Sequence, residues 1–210
     1  MHDDHPDNPH APVARDHPMT EFERRVDAVQ TLLIEKGLIT ADQVRRRVEE
    51  MDSRSPTLGA KVIARAWVDP AFKARLLADA KSAIAELGIE FTQEAALVAV
   101  ENTQKVHHVV VCTLCSCYPR GLLGYPPDWY KSLNYRSRVV VDPRGVLKEF
   151  GTEPPPDVEV RVLDSTADMR YLVIPARPAG TEGTSEAELA ELVTRDSMIG
   201  VAQARTPALR

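Results

Sequence analysis

Cys112, Cys115 and Cys117 lie within six residues of each other and are the only thiols in the 210-residue chain. An odd, tightly clustered set is a poor disulfide framework, and a reducing compartment would keep such thiols free for a metal. A structural zinc site usually takes four thiolate or imidazole ligands, commonly as two separated pairs, and no second pair exists here. His107 and His108 are the only histidines outside the first 18 residues. In an extended segment they point to opposite faces, so at most one could turn toward a metal. They read as supporting or packing groups. A dithiol redox site would use Cys112 and Cys115 and leave Cys117 without a role.

The spacing of the last two cysteines permits a more specific arrangement. If the backbone amides of Ser116 and Cys117 lose their protons, the Cys115 sulfur, the Ser116 nitrogen, the Cys117 nitrogen and the Cys117 sulfur can bind one ion in a plane. The chelate rings have six, five and five members. Cys112, one turn back, can add a third sulfur, which leaves a sixth position open. Thiolates with anionic amides favour a trivalent low-spin ion, cobalt(III) or iron(III), over zinc(II). An open position marks a catalytic site rather than a closed structural one. A non-catalytic thiol redox or metal-delivery module is the reading from a different class.

The elements that must carry this segment follow from periodicity. Val106–Val111 is strand-like and delivers the cysteines at its end; Val139–Val141, Val158–Leu163 and Tyr171–Ile174 are further strand candidates. Val158, Val160 and Val162 alternate with charged Glu159 and Arg161, so one face is buried. Upstream, Phe22, Val26, Val29, Leu32 and Leu33 recur at helical spacing as far as a stop at Gly37, and Thr40 with Gln43 caps a second helix running to about Met51. These two helices are polar around much of their circumference and read as an arm for a partner, with two solvated surface helices as the alternative. Residues 54–59 read as a break and 60–67 as helical. Asp69-Pro70 then opens an amphipathic helix with Phe72, Leu76, Leu77, Ala80, Ile84 and Leu87 on one face, ending at Gly88. Ser185 with Glu188 caps a last helix to about Arg195. The expected fold class is α+β: a disordered tail over 1–18, a helical arm over 19–53, an α/β sandwich over 54–202 that binds the metal, and a flexible C-terminus over 203–210. His2, His5, His10 and His17 belong to the solvated tail, with metal binding as their alternative.

Composition excludes several classes. A net charge of −5 argues against a nucleic-acid binder. No apolar run approaches the roughly 20 residues that span a bilayer. The N-terminus lacks the basic start and apolar stretch of a signal peptide, so a cytoplasmic location is expected.

Val111-Cys112-Thr113-Leu114-Cys115-Ser116-Cys117-Tyr118 resembles the metal claw of nitrile hydratase α subunits and of the related thiocyanate hydrolase γ subunit. The likeness extends to Leu58-Gly59-Ala60-Lys61, Ala66-Trp67-Val68-Asp69-Pro70, Val100-Glu101-Asn102-Thr103, His107-His108-Val109-Val110, Pro126-Pro127-Asp128-Trp129-Tyr130-Lys131, Tyr135-Arg136-Ser137-Arg138, Asp142-Pro143-Arg144-Gly145-Val146-Leu147 and Val193-Thr194-Arg195-Asp196-Ser197. It covers roughly residues 20 to 202. The resemblance implies a sandwich of the nitrile hydratase α type and one cobalt(III) per subunit, held by Cys112, Cys115, Ser116 and Cys117. Thr113 is the cobalt-type variant, and iron is the alternative. It also implies Cys115 as sulfinic acid and Cys117 as sulfenic acid. The implied partners are a β-type subunit and a small activator protein that loads the metal.

Three departures bear on substrate. Arg120 stands where nitrile hydratases carry a pocket tryptophan, Leu163 replaces the first tryptophan of a Trp-Asp-Ser, and Thr184 replaces that of a Gly-Trp-Ser. Arg120 exchanges an apolar wall for a cation, as thiocyanate hydrolase does; its alternative place is in solvent or against the partner. The implied reaction is hydration of a nitrile to the amide. Oxygen on Cys117, or water it activates, attacks the nitrile carbon, Ser116 orients the bound ligand and Tyr118 shapes the pocket. Ser116 acting only as a spacer and Tyr118 as core packing are the alternatives. Thiocyanate hydrolysis is the second substrate reading.

Overall fold

The computed structural model describes residues 19–52, 55–91 and 93–207, and the histidines of the first 18 residues lie outside them. The chain divides into two compact units, 1–49 and 50–210. The first holds α1, Glu21–Glu35, and most of α2, Ala41–Asp52. Thr20 and Glu23 cap α1 reciprocally, and the Thr40 and Gln43 side chains each accept the other residue's backbone N–H. No residue of α1 is buried, and Phe22, Val26 and Val29 are more than half exposed. Its apolar stripe is therefore uncovered.

The second unit starts with three helices, α3 (Pro56–Val68), α4 (Pro70–Ala78) and α5 (Ala80–Ala85). α3 begins earlier than residue 60 and absorbs most of the expected break. Pro56 occupies its first turn. Gly59 serves packing rather than a turn, since a Cβ there would meet Met198 Sδ at 2.7 Å and Leu123 Cδ2 at 2.8 Å. The single helix expected over 70–87 is two. Asp79 takes an extended backbone, φ −148° and ψ 93°, and its carboxylate accepts from the Ser82 N–H at 3.2 Å and the Ser82 hydroxyl at 2.6 Å. That side-chain cap competes with the continuing helix and restarts it. Leu77 falls off the buried face.

Strands β1 (Ala96–Glu101) and β2 (Val106–Val111) follow. Four helices come next: α6 (Arg120–Leu123), α7 (Asp128–Lys131), α8 (Leu133–Val141) and α9 (Pro143–Glu149). Strands β3 (Glu159–Asp164) and β4 (Met169–Ile174) precede α10 (Glu186–Leu192) and α11 (Arg195–Ile199). The proposed strand at Val139–Val141 is instead the last turn of α8. Ser132 caps this helix through the Tyr135 N–H, and only Val139 of the three valines is buried. Three β-branched residues with no edge to pair with yield to a capped helix.

β1 pairs parallel with β4, and β2 pairs parallel with β3. α4 and α5 pack on β1, α11 packs on β4, α9 packs on β3, and β2 touches both β1 and β4. β2 is buried from His107 to Val111, as a strand covered on both faces must be. It runs through the centre of the unit and emits the cysteine segment at its C-terminal end.

Candidate metal centre

Cys112 follows the last residue of β2 and is fully buried, Cys117 is half-buried and Cys115 is exposed. The Cys112 and Cys115 sulfurs are 3.4 Å apart and those of Cys115 and Cys117 3.2 Å apart. All three lie within 4.8 Å of one another and could hold a metal ion. The Cys115 N–H donates to the Cys112 sulfur at 3.3 Å, closing the turn.

Several groups from distant parts of the chain hold this turn. The Asp164 carboxylate, at the end of β3, accepts from the Thr113 N–H at 2.9 Å and from the Thr113 hydroxyl at 2.5 Å. Arg136 on α8 donates to the carbonyls of Cys112, at 3.0 Å, and Thr113, at 2.7 Å. The Tyr130 hydroxyl donates to the Cys117 carbonyl at 2.8 Å, and Gln93 donates to the Tyr118 carbonyl at 3.1 Å. Beneath the segment, Tyr118 and Tyr130 meet edge to face with ring centroids 5.1 Å apart, and Trp129, Tyr135 and Phe150 extend the aromatic cluster.

The three sulfurs do not share charge evenly. Hydrogen bonds from the Cys117 and Cys112 thiols, helped by the Ser116 and Cys117 amides, lower the pKa of Cys115. Burial, and the hydrogen bond it gives to Cys115, push Cys117 up to about 12. Cys115 therefore ionises before Cys117. Ionising all three needs a cation among them, so the donor set fits a metal.

A pocket of about 270 Å³ opens above the segment, lined by Gln93, Cys115, Ser116, Cys117, Tyr118, Arg120 and Arg170. It brings together Cys115, Ser116, Cys117, Tyr118 and Arg120, while Cys112 lies below. The Tyr118 hydroxyl is buried without a hydrogen-bond partner among the described residues, and burial holds its pKa far above the usual phenol range. A larger groove of about 1210 Å³ lies between α3 and α10–α11 and contains no cysteine, so size does not locate the chemistry. Gln93 and Arg170 are lining residues that sequence reasoning missed, because they enter from other elements and carry no local signal. Tyr130, Arg136 and Asp164 stood in conspicuous sequence segments but without a role.

His107 and His108 lie outside the cysteine cluster. His107 Nε2 is 2.7 Å from the Gly200 carbonyl, the Asn102 side chain lies 3.4 Å from His107 Nδ1, and Asn102 accepts the His108 N–H at 2.7 Å. Burial is the largest cause that lowers both imidazoles below 6.5. With folded values below the unfolded one, the unfolded chain gains protons first as pH falls. The stability is intact above about pH 6.5 and is lost as pH drops through the folded values. Denaturant unfolding of the isolated chain should show this loss as pH falls below about 6.5, and a His107→Asn/His108→Asn variant should show a flatter slope. An equal slope in both would remove the histidines as its source.

The family model for the nitrile hydratase alpha chain matches residues 20–202. The low-molecular-weight cobalt-containing nitrile hydratase subunit alpha of Rhodococcus rhodochrous is 54% identical over 189 residues, covering 90% of this chain and 91% of that one. Thiocyanate hydrolase subunit gamma of Thiobacillus thioparus is 42% identical over 195 residues, covering 88% and 80%. Among solved structures, a double-histidine mutant of the Fe-type nitrile hydratase from Comamonas testosteroni Ni1 superposes with a TM-score of 0.83 at 46% identity, covering 90% of this chain and 94% of that one. The chain is a mixed α+β protein with three cysteines that could hold a metal ion at the end of a buried strand. This chain belongs to the nitrile hydratase alpha-chain family.

Proposed function

We propose that this chain is the metal-bearing catalytic subunit of a cobalt-type nitrile hydratase, converting a nitrile to its amide. The observation that carries the reading is the gathering of three cysteine sulfurs within 4.8 Å, beside a pocket that Cys115, Ser116 and Cys117 line. Cys112, Cys115 and Cys117 hold the ion through sulfur, and Ser116 and Cys117 through their backbone nitrogens. Cobalt(III), when bound, supplies Lewis acidity toward a C≡N group. Cys115 as sulfinic acid and Cys117 as sulfenic acid place oxygens beside the pocket, and the Cys117 oxygen, or water it orients, is the nucleophile. Ser116 orients the ligand through its hydroxyl, and Tyr118 gives the wall its shape. Arg120, on the lining of that pocket, presents a cation and hydrogen-bond donors to the substrate. The working enzyme includes a β-type subunit, with an activator protein loading the cobalt, and operates in the cytoplasm. No helix of the described residues is long and apolar enough to cross a membrane. The four-part division proposed here, 1–18, 19–53, 54–202 and 203–210, gives the second segment to the partner and the third to the metal.

Arg120 also favours a second reading, thiocyanate hydrolysis, because an arginine at the pocket wall suits an anion. The test is to assemble the chain with its partner and cobalt and assay aliphatic nitriles, heteroaromatic nitriles and thiocyanate. Amide release, with intact mass showing three oxygens added to the claw, is the expected result. Carbonyl sulfide and ammonia from thiocyanate alone would favour the second reading. Zinc bound through thiols alone, with no added oxygen, would leave only a thiol redox or metal-delivery module.

A further inference from the structure

The first turn of the cysteine segment is gripped on both sides of one peptide plane. The plane between Cys112 and Thr113 presents its carbonyl to Arg136 Nε at 3.0 Å and its N–H to Asp164 Oδ1 at 2.9 Å. A carbonyl and an N–H of one peptide point in opposite directions, so these bonds fix its rotation from α8 on one side and β3 on the other. Arg136 Nη2 also holds the next carbonyl, that of Thr113, at 2.7 Å, and Asp164 Oδ2 takes the Thr113 hydroxyl at 2.5 Å. Rotation of this plane is the ψ of Cys112, whose sulfur is directed at the Cys115 N–H and sulfur.

We propose that Arg136 and Asp164 are positioning residues that lock this peptide and thereby aim the Cys112 sulfur at the metal. The inference rests on the cobalt reading above. The strand ladder prepares the lock. Val111 lies opposite Asp164 in the parallel register, and its carbonyl accepts from the Ser165 N–H at 2.7 Å. The ladder thus ends at Val111, and the Asp164 side chain takes up the N–H of Thr113, two residues beyond it. The charges alone do not explain this pair. A carboxylate beside a set of thiolates opposes their ionisation, so Asp164 acts through its hydrogen bonds despite its charge. Arg136 reaches two carbonyls with one planar fork, which a lysine ammonium cannot reproduce in the same geometry.

That contrast gives the test. In the assembled, cobalt-loaded complex, Asp164→Asn removes the opposing charge and Arg136→Lys keeps the favourable one. If charge governed the site, the first would load cobalt at least as well as wild type and the second equally well. The lock predicts that both lose cobalt affinity, by about 10- to 100-fold as expected for groups that orient metal ligands, and that the cobalt–sulfur charge-transfer absorption of the loaded fraction shifts. Thr113→Val, which removes only the hydroxyl bond, should give a smaller shift in the same direction and keeps the test open if Asp164→Asn fails to fold. Unchanged loading and absorption in Arg136→Lys and Thr113→Val would overturn the lock. A wild-type complex that takes up no cobalt would instead overturn the cobalt reading.

Discussion

Cys117→Ala, in the assembled complex, is expected to abolish both cobalt retention and nitrile hydration, and Cys115→Ala to do the same. Each substitution removes a sulfur from a donor set in which three sulfurs already sit within 4.8 Å. It also removes one arm of the chelate that would hold the deprotonated amides, and those amides have no other reason to lose their protons. Groups that merely orient a metal ligand are worth roughly 10- to 100-fold, and loss of a ligand exceeds that, so activity should fall below about 1% of wild type. Ser116→Ala supplies the contrast. Its backbone nitrogen remains and only the hydroxyl is lost, so cobalt should stay while turnover falls within that smaller range. Metal analysis with amide assay separates the cases. A Cys117→Ala enzyme that keeps its cobalt and its activity would defeat the claw.

Gly200→Ala is expected to be severely destabilising. Gly200 ends α11 in a left-handed conformation, φ 89° and ψ 8°. A Cβ on it would lie 1.9 Å from the His108 carbonyl oxygen and 3.1 Å from the Val109 Cα. The left-handed backbone alone costs about 1–2 kcal/mol. The clash cannot be relieved by turning a side chain, because the obstacle is the backbone of β2, hydrogen-bonded to β3 and buried on both faces. Separating α11 from β2 would also break the contact between His107 and the Gly200 carbonyl. A loss above about 4 kcal/mol is expected, a large share of the stability of an ordinary domain. Gly183→Ala is the matched control: φ is 78° and nothing lies within 4 Å of its Cβ, so only the backbone cost of about 1–2 kcal/mol applies. Denaturant midpoints of the two variants should differ widely. Equal midpoints would show that β2 yields at little cost and that the strand is not the rigid platform on which the site depends.

Several helix starts were legible because their signals are local. Thr20 with Glu23, Asp69 with Pro70 and Ser185 with Glu188 are caps closed within three residues, and all three cap helices in the structure. The same locality explains the misses. Asp79 reads as one polar residue on an amphipathic helix until its carboxylate is seen to bond Ser82. Val139–Val141 has strand composition but no strand to pair with. β1 has only Leu97 and Ala99 buried on its central face and is a strand because β4, more than 60 residues downstream, lies beside it.

The cysteine segment divides in the same way. Its types and spacing determine by themselves which atoms can reach one ion, since ring size is covalent geometry. Packing alone decides that Asp164 from β3, Arg136 from α8, Tyr130 from α7 and Gln93 from the loop before β1 converge on that segment. Those contacts join residues up to 51 positions apart, and no local pattern records them, because each follows from how the strands pair and which helix face is buried.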